Sequence, residues 1–391
     1  MSWLRWLTVP GIHAGSLLSE GWDAYRGASQ WNEVPLLEPS LGLALGAMLD
    51  RSFTAATNIL TGVPSPEEMR RFNSEAAAMR DFLVDGGWLD DPAGFHPEPP
   101  SVEQWTAQEG STWIGPRRRP FQHISWTSEY EPHPGEPGRD HWLSREGNRA
   151  MHAYVLEHAG GPRPWLVCVH GFAMGTPLIT LNGFNAKRLH EDLGLNLIFP
   201  CLPLHGPRAS GRLSGVELLA PDYLNLLHTF TQAVWDVRRT LAWVRSREPK
   251  AVGLYGVSLG GYICALTASL VSRLACVIAA IPMVDLTAAA RDNEPWIFRR
   301  YDREFEVDWE VIRAVTHVVS PLSLAPRVPR ERLFICAGTA DRVVRPNHAR
   351  ALWRHWGRPK IHWFSSSHVL GMMHPSVLDF VERNTRASGM V

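Results

Sequence analysis

Apolar residues in the last two-thirds of the chain fall into short, nearly unbroken runs. They occupy residues 164–169 (PWLVCV), 195–199 (LNLIF), 251–255 (AVGLY), 275–281 (ACVIAAI), 332–337 (RLFICA) and 361–364 (IHWF). Each is short for a helix, and the lack of polar alternation marks strands covered on both faces, as in a parallel sheet. Weaker runs at 121–130 and 151–157 come before them, the first alternating in part. Between the runs the period changes. Leu226, Phe230, Val234, Val237, Leu241 and Val244 recur at helical spacing until Glu248-Pro249 stops the pattern. Strand alternating with helix predicts an α/β fold, with a mostly parallel central sheet flanked by helices and joined by right-handed crossovers.

Residues 1–118 read differently and form a predicted N-terminal helical extension or cap. Ser65-Pro66-Glu67-Glu68 has the form of a capping box with proline at the first helical position. Met69, Phe72, Ala76, Met79 and Leu83 then follow at helical spacing, and Gly86-Gly87 ends the helix. Residues 91–100 are rich in proline and read as a linker or ordered loop. Residues 41–60 are the most lipid-like, but Asp50 and Arg51 interrupt them. The uncharged run left is shorter than the ~20 residues a membrane-crossing helix needs, so no transmembrane segment is expected here. The stretch predicts a buried or amphipathic helix. Residues 119–391 form the second predicted unit. Within it, about 284–330 is too long for a simple connection and carries Trp296, Ile297, Phe298, Trp309, Val311 and Ile312. It predicts an inserted helical lid.

Composition narrows the function classes. The chain has 391 residues, 45% hydrophobic and 20% charged, as a folded globular protein has. Lys plus Arg and Asp plus Glu both number 39, so no global field favours nucleic acid or an anionic membrane. Cys168, Cys201, Cys264, Cys276 and Cys336 lie in or beside apolar runs with no C-x-x-C pair, which fits a reducing, cytoplasmic setting better than a disulfide framework. Pro10, Gly11 and His13 break the N-terminal apolar stretch, so no secretory signal is expected. No H-E-x-x-H, Cys/His ligand cluster or phosphate-loop lysine motif occurs, and neither metal nor cofactor is expected. The N-terminal region is a candidate surface for a second copy of the chain, another protein, or peripheral contact with lipid.

In an open parallel sheet, ligands bind beyond the carboxyl ends of the strands, so the residues after each apolar run carry the chemistry. After 251–255 comes Gly256-Val257-Ser258-Leu259-Gly260, then a helical run. A serine on a sharp strand-to-helix turn needs small neighbours two before and two after it, because the backbone folds back on itself. After 164–169 comes His170-Gly171-Phe172, whose exposed N–H groups could hold a developing oxyanion together with the N–H of Leu259. After 332–337 comes Gly338 with Asp341, a carboxylate placed to orient a histidine; Asp285, after Ile281-Pro282, is the alternative acid. After 361–364 comes His368 on a loop of serines, with His374 as its rival and His362 inside the strand.

The order Ser258, Asp341, His368 resembles that of the triad in the α/β-hydrolase superfamily. His170-Gly171, the elbow from Gly256 to Gly260, and Gly338 with Asp341 and Val344 carry the likeness. So does His205-Gly206-Pro207-Arg208, which is similar to the loop after the family's fourth strand. The likeness covers about residues 120–391. It implies a serine hydrolase with Ser258 as nucleophile, His368 as base, Asp341 as orienting acid, and Phe172 and Leu259 as oxyanion donors. Phe172, Met174, Leu259 and an aromatic lid point to a small-molecule ester with an apolar acyl group. An amide or peptide bond is the second substrate class, and a non-catalytic binding protein on this fold the third reading. Arg208 and Arg212 sit where they could face an acidic substrate group, but read more readily as solvated.

Overall fold

The computed structural model describes residues 33–36, 40–61, 64–211, 213–219, 222–293, 300 and 302–391. Their centre is a nine-stranded sheet. Its strands are β1 (Thr106–Ile114), β2 (Arg117–Thr127), β3 (Ala150–Leu156), β4 (Trp165–Val169) and β5 (Asn196–Pro200), then β6 (Val252–Val257), β7 (Cys276–Ala280), β8 (Leu333–Gly338) and β9 (Lys360–Phe364). The spatial order is β1-β2-β3-β5-β4-β6-β7-β8-β9. From β1 to β5 neighbouring strands are antiparallel, and from β5 to β9 they are parallel.

The unbroken apolar runs have a direct cause. Successive residues of a strand point to opposite faces, and both faces here are covered. Leu254, Val277 and Ile335 enter one core; their neighbours Tyr255, Ile278 and Cys336 enter the other. The first core is closed by α2 (Pro66–Asp85), α3 (Tyr223–Arg245) and α4 (Leu259–Leu270), with α6 (Trp309–His317) and α7 (Pro346–His355). The second is closed by residues 177–193 and by α8 (Pro375–Ala387). The capping box that starts α2 is formed: Glu68 N–H donates to Ser65 Oγ at 3.2 Å, and Ser65 N–H donates to Glu68 Oε2 at 2.6 Å.

One expectation needs correction. Strand pairing begins at Thr106, inside the segment expected to be helical up to residue 118. β1 is the edge strand and almost wholly exposed, so its sequence TAQEGSTWI lacks the apolar signal by which the inner strands are recognised. Residues 41–60 form the expected helix, α1 (Leu41–Thr61), whose inward side carries Leu43, Ala47 and Ala55. Asp50 and Arg51 are buried on that side too, and Leu41, Leu45 and Leu49 are exposed. No helix among the described residues is long and apolar enough to cross a membrane. The insertion between β7 and β8 contains α5 (Leu286–Asn293) and α6; the expected lid residues Trp296, Ile297 and Phe298 lie outside the described residues.

Candidate active site

Strand register brings the site together. Val169 of β4 pairs with Gly256 of β6, so the His170 loop emerges beside Ser258. Gly338 of β8 pairs with Phe364 of β9, so the Asp341 and His368 loops leave the sheet side by side. At the end of β6 the chain turns at Ser258 with φ 56° and ψ −115°, a backbone region costing of order 1–3 kcal/mol for a non-glycine residue. The surroundings impose it. A Cβ on Gly256 would stand 2.1 Å from the Gly260 carbonyl oxygen, and one on Gly260 would stand 1.9 Å from that of Val169. Ser258 N–H donates to the Ala280 carbonyl at 2.9 Å, and α4 begins at the next residue.

Ser258 Oγ lies 3.0 Å from His368 Nε2, and His368 Nδ1 lies 2.6 Å from Asp341 Oδ2. The other oxygen of Asp341 accepts the Val343 and Val344 N–H groups at 3.0 and 2.7 Å, which fixes the carboxylate. A carboxylate can only accept, so Nδ1 carries the imidazole proton and Nε2 is left to accept from the serine hydroxyl. Burial disfavours the His368 cation, but the charge and hydrogen bond of Asp341 and the charge of Asp50 outweigh it, and the net shift is upward. The rival residues are engaged elsewhere. Asp285 is exposed and accepts the Ala288 N–H of α5 at 2.9 Å. His374 accepts the Ser376 N–H at the start of α8 at 3.3 Å, and His362 in β9 contacts Ser376 Oγ at 2.9 Å.

Leu259 is the first residue of α4, so its N–H points out of a helix N-terminus toward the site. The Phe172 N–H is oriented through its own peptide. Leu202 N–H donates to His170 Nε2 at 3.1 Å, which leaves Nδ1 protonated to donate to the Gly171 carbonyl at 2.8 Å. In a trans peptide the carbonyl and the following N–H point opposite ways, so holding the Gly171 carbonyl aims the Phe172 N–H. Burial, with His205 and Arg208 nearby, pulls the His170 imidazole down to about 3, so it stays neutral.

Residues 234–363, which include Ser258 and Asp341 and stop short of His368, match the family model described as the prolyl oligopeptidase family. The fold is similar to that of acetyl xylan esterase 1 from Thermoanaerobacterium sp. JW/SL YS485, with a TM-score of 0.52 and 17% identity, covering 85% of this chain and 98% of that one. The chain belongs to the α/β-hydrolase superfamily. Two Mycobacterium tuberculosis proteins resemble this hydrolase along nearly its whole length. They are the uncharacterized protein MT2702 of strain CDC 1551, 38% identical, and the uncharacterized protein Rv2627c of strain H37Rv, 37% identical. Each match covers 98% of this chain and 91% of the relative, so it takes in the N-terminal helices as well as the sheet. As a class, the matched family supports a serine hydrolase.

Ser258 and His368 of the hydrolase open into a cavity of about 650 Å³. Its walls are mostly apolar. Phe172 comes from the loop after β4, Leu259 from the start of α4, Leu226 and Phe230 from α3, and Leu286 and Trp309 from the insertion. Phe53, Thr54, Thr57 and Asn58 of α1 also line it, so the N-terminal extension is part of the site and not only an outer surface. Arg208 does not face a substrate and is not solvated. It is buried, donating to Asp236 Oδ2 at 2.7 Å and to the carbonyls of Cys201 and Asn148 at 2.9 Å each. Arg212 lies outside the described residues.

Asp50 of α1 escaped the sequence reading. Its carboxylate is fully buried and accepts three backbone N–H groups from the loops that bear Asp341 and His368. The available signal was an Asp-Arg pair inside an otherwise uncharged helix, which reads first as a break in hydrophobicity.

Proposed function

We propose that this hydrolase cleaves a carboxylic ester with an apolar acyl group through an acyl-enzyme on Ser258. The supporting observation is the hydrogen-bonded chain Ser258–His368–Asp341 at the wall of a largely apolar cavity. His368 Nε2 takes the Ser258 proton as Oγ attacks the ester carbonyl carbon. The N–H groups of Phe172 and Leu259 hold the oxyanion, a role worth about 3–4 kcal/mol of barrier per donor. On collapse the C–O bond breaks and the alcohol leaves with the proton from His368. Water, deprotonated by the same nitrogen, then attacks the acyl-enzyme, and Ser258 departs reprotonated by His368. Asp341 keeps the Nδ1–H tautomer and stabilises the imidazolium that forms in each half-reaction.

A peptide or amide substrate is the second reading, favoured by the family match over residues 234–363. The apolar lining favours the ester, since a peptide brings polar main-chain groups that need partners when desolvated. The test is hydrolysis of p-nitrophenyl esters of increasing chain length beside peptide and anilide substrates, with fluorophosphonate labelling. Wild type is expected to label and to prefer esters of medium or long acyl chain. Ser258→Ala should lose labelling and, on the order of 10⁶-fold, kcat. Equal labelling of wild type and Ser258→Ala would sink the serine mechanism, and faster peptide cleavage would replace the ester reading.

A further inference from the structure

Asp50 is the residue that the proposed chemistry leaves unused and the fold does not explain. It sits on α1, and a helix facing an α/β core normally turns its apolar side inward. Here the inward stripe holds Leu43 and Ala47 but also Asp50, which has no exposed surface, while Leu41, Leu45 and Leu49 are exposed. A buried carboxylate is costly unless its oxygens are hydrogen-bonded. Oδ2 accepts the Arg342 N–H at 2.9 Å and the His368 N–H at 2.8 Å, and Oδ1 accepts the Val369 N–H at 3.0 Å. Arg342 directly follows Asp341. One carboxylate therefore grips, from behind, the backbone at both ends of the 2.6 Å bond between Asp341 and His368. Ser367, which precedes the short helix His368–Gly371, makes no side-chain cap, so Asp50 satisfies N–H groups that a local side chain would otherwise take. One turn earlier α1 closes on the same loop. A Cβ on Gly46 would lie 3.0 Å from both Cβ and Oγ of Ser367.

We propose that Asp50 is a positioning residue that ties the Asp341 loop to the His368 loop, making the N-terminal helix a required part of the reacting apparatus. This rests on the reading of Ser258, His368 and Asp341 given above. Misplacement of a reacting group by about 1 Å costs ~10²-fold in rate, so slack between two loops that share one short bond falls on turnover more than on binding. The charge also reaches the imidazole. Besides burial, the charged groups acting on His368 are Asp341 and Asp50, and Asp50 favours the cation. Burial and the charge of Asp341 push the Asp50 carboxyl itself upward, opposed by His368 and the N–H groups of Val369 and His368.

The test is Asp50→Asn in the full chain, with p-nitrophenyl ester kinetics, the pH profile of kcat/KM, fluorophosphonate labelling and thermal melting. An asparagine keeps the shape but has one acceptor oxygen and turns an N–H₂ toward backbone donors. The expected result is a ~10–100-fold loss of kcat with KM little changed. The acid limb should also move to lower pH, because a charge that favoured the His368 cation is gone. A folded Asp50→Asn with wild-type kcat and acid limb overturns the proposal while leaving Ser258 in place. A wild type that neither labels nor turns over ester overturns both readings. If Asp50→Asn does not fold, Gly46→Ala carries the test, since it keeps Asp50 but presses α1 away from Ser367. Lowered kcat at unchanged KM supports the proposal there, and unchanged kcat overturns it.

Discussion

Asp341 and Asp285 are both carboxylates just beyond strand ends, and their surroundings give them different work. Asp341 is buried, fixed by two N–H groups and bonded to His368, whereas Asp285 is exposed and serves the start of α5. Asp341→Asn should therefore lower kcat by about 10⁴-fold, as expected when a histidine loses the partner that sets its tautomer. Asp285→Asn keeps an oxygen that can accept the Ala288 N–H, so its stability and kcat should both stay near wild type. Ester kinetics on the two variants decide between them; an inactive Asp285→Asn beside an active Asp341→Asn would exchange their roles. At this scale the sequence exposes residues whose chemistry is local. Ser258 announces itself through glycines at fixed offsets, and His368 through a loop of small residues. Asp50 does not, because its partners are backbone N–H groups 292, 318 and 319 positions away.

Elements differ in legibility by how they are covered. β4 to β8 are buried in full, and their apolar runs mark them to within one or two residues. β1 is solvated on most of its length and leaves no such trace. α1 is legible only in part: its inward stripe holds Leu43, Ala47 and Ala55, as a core-facing helix does, but also Asp50 and Arg51, while Leu41, Leu45 and Leu49 face outward. Its next turn then supplies the cavity wall, where Phe53 meets Phe172 edge-to-face with ring centroids 6.2 Å apart. Phe53→Ala should open that wall and shift the preferred p-nitrophenyl ester toward a longer acyl chain. A chain-length optimum unmoved by the substitution would show that the acyl group lies elsewhere in the cavity.

The whole molecule also carries a proton-linked stability term. His96, His170 and His205 are buried, and burial, first among the causes, pulls their imidazoles down to about 4, 3 and 4 from an ordinary 6.5. Groups depressed in the fold contribute their full stability above 6.5, where the unfolded chain is also neutral. As the pH falls below 6.5 the unfolded chain takes up protons first. Each histidine then removes up to about 1.4 kcal/mol per pH unit until its folded value is reached. The buried carboxyls of Asp50 and Asp236, pushed upward first by burial, act in the opposite sense. Urea unfolding should show stability falling steeply from pH 7 to pH 5, and a flat profile would mean that the imidazoles are hydrated in the fold.

The sequence by itself determined the α/β class, most strand positions, the capped helix α2 and the candidate trio Ser258, Asp341 and His368. Each of these follows from side-chain period, steric demand at a turn or position after a strand, all written within a few residues of one another. Tertiary structure alone decided that strand pairing begins at Thr106, that Arg208 is buried against Asp236, and that α1 enters the site with Asp50 inward. Those outcomes depend on which backbone groups lack partners once distant loops meet. A buried carboxylate is stabilised by such groups, and no local pattern of residues records where they will be.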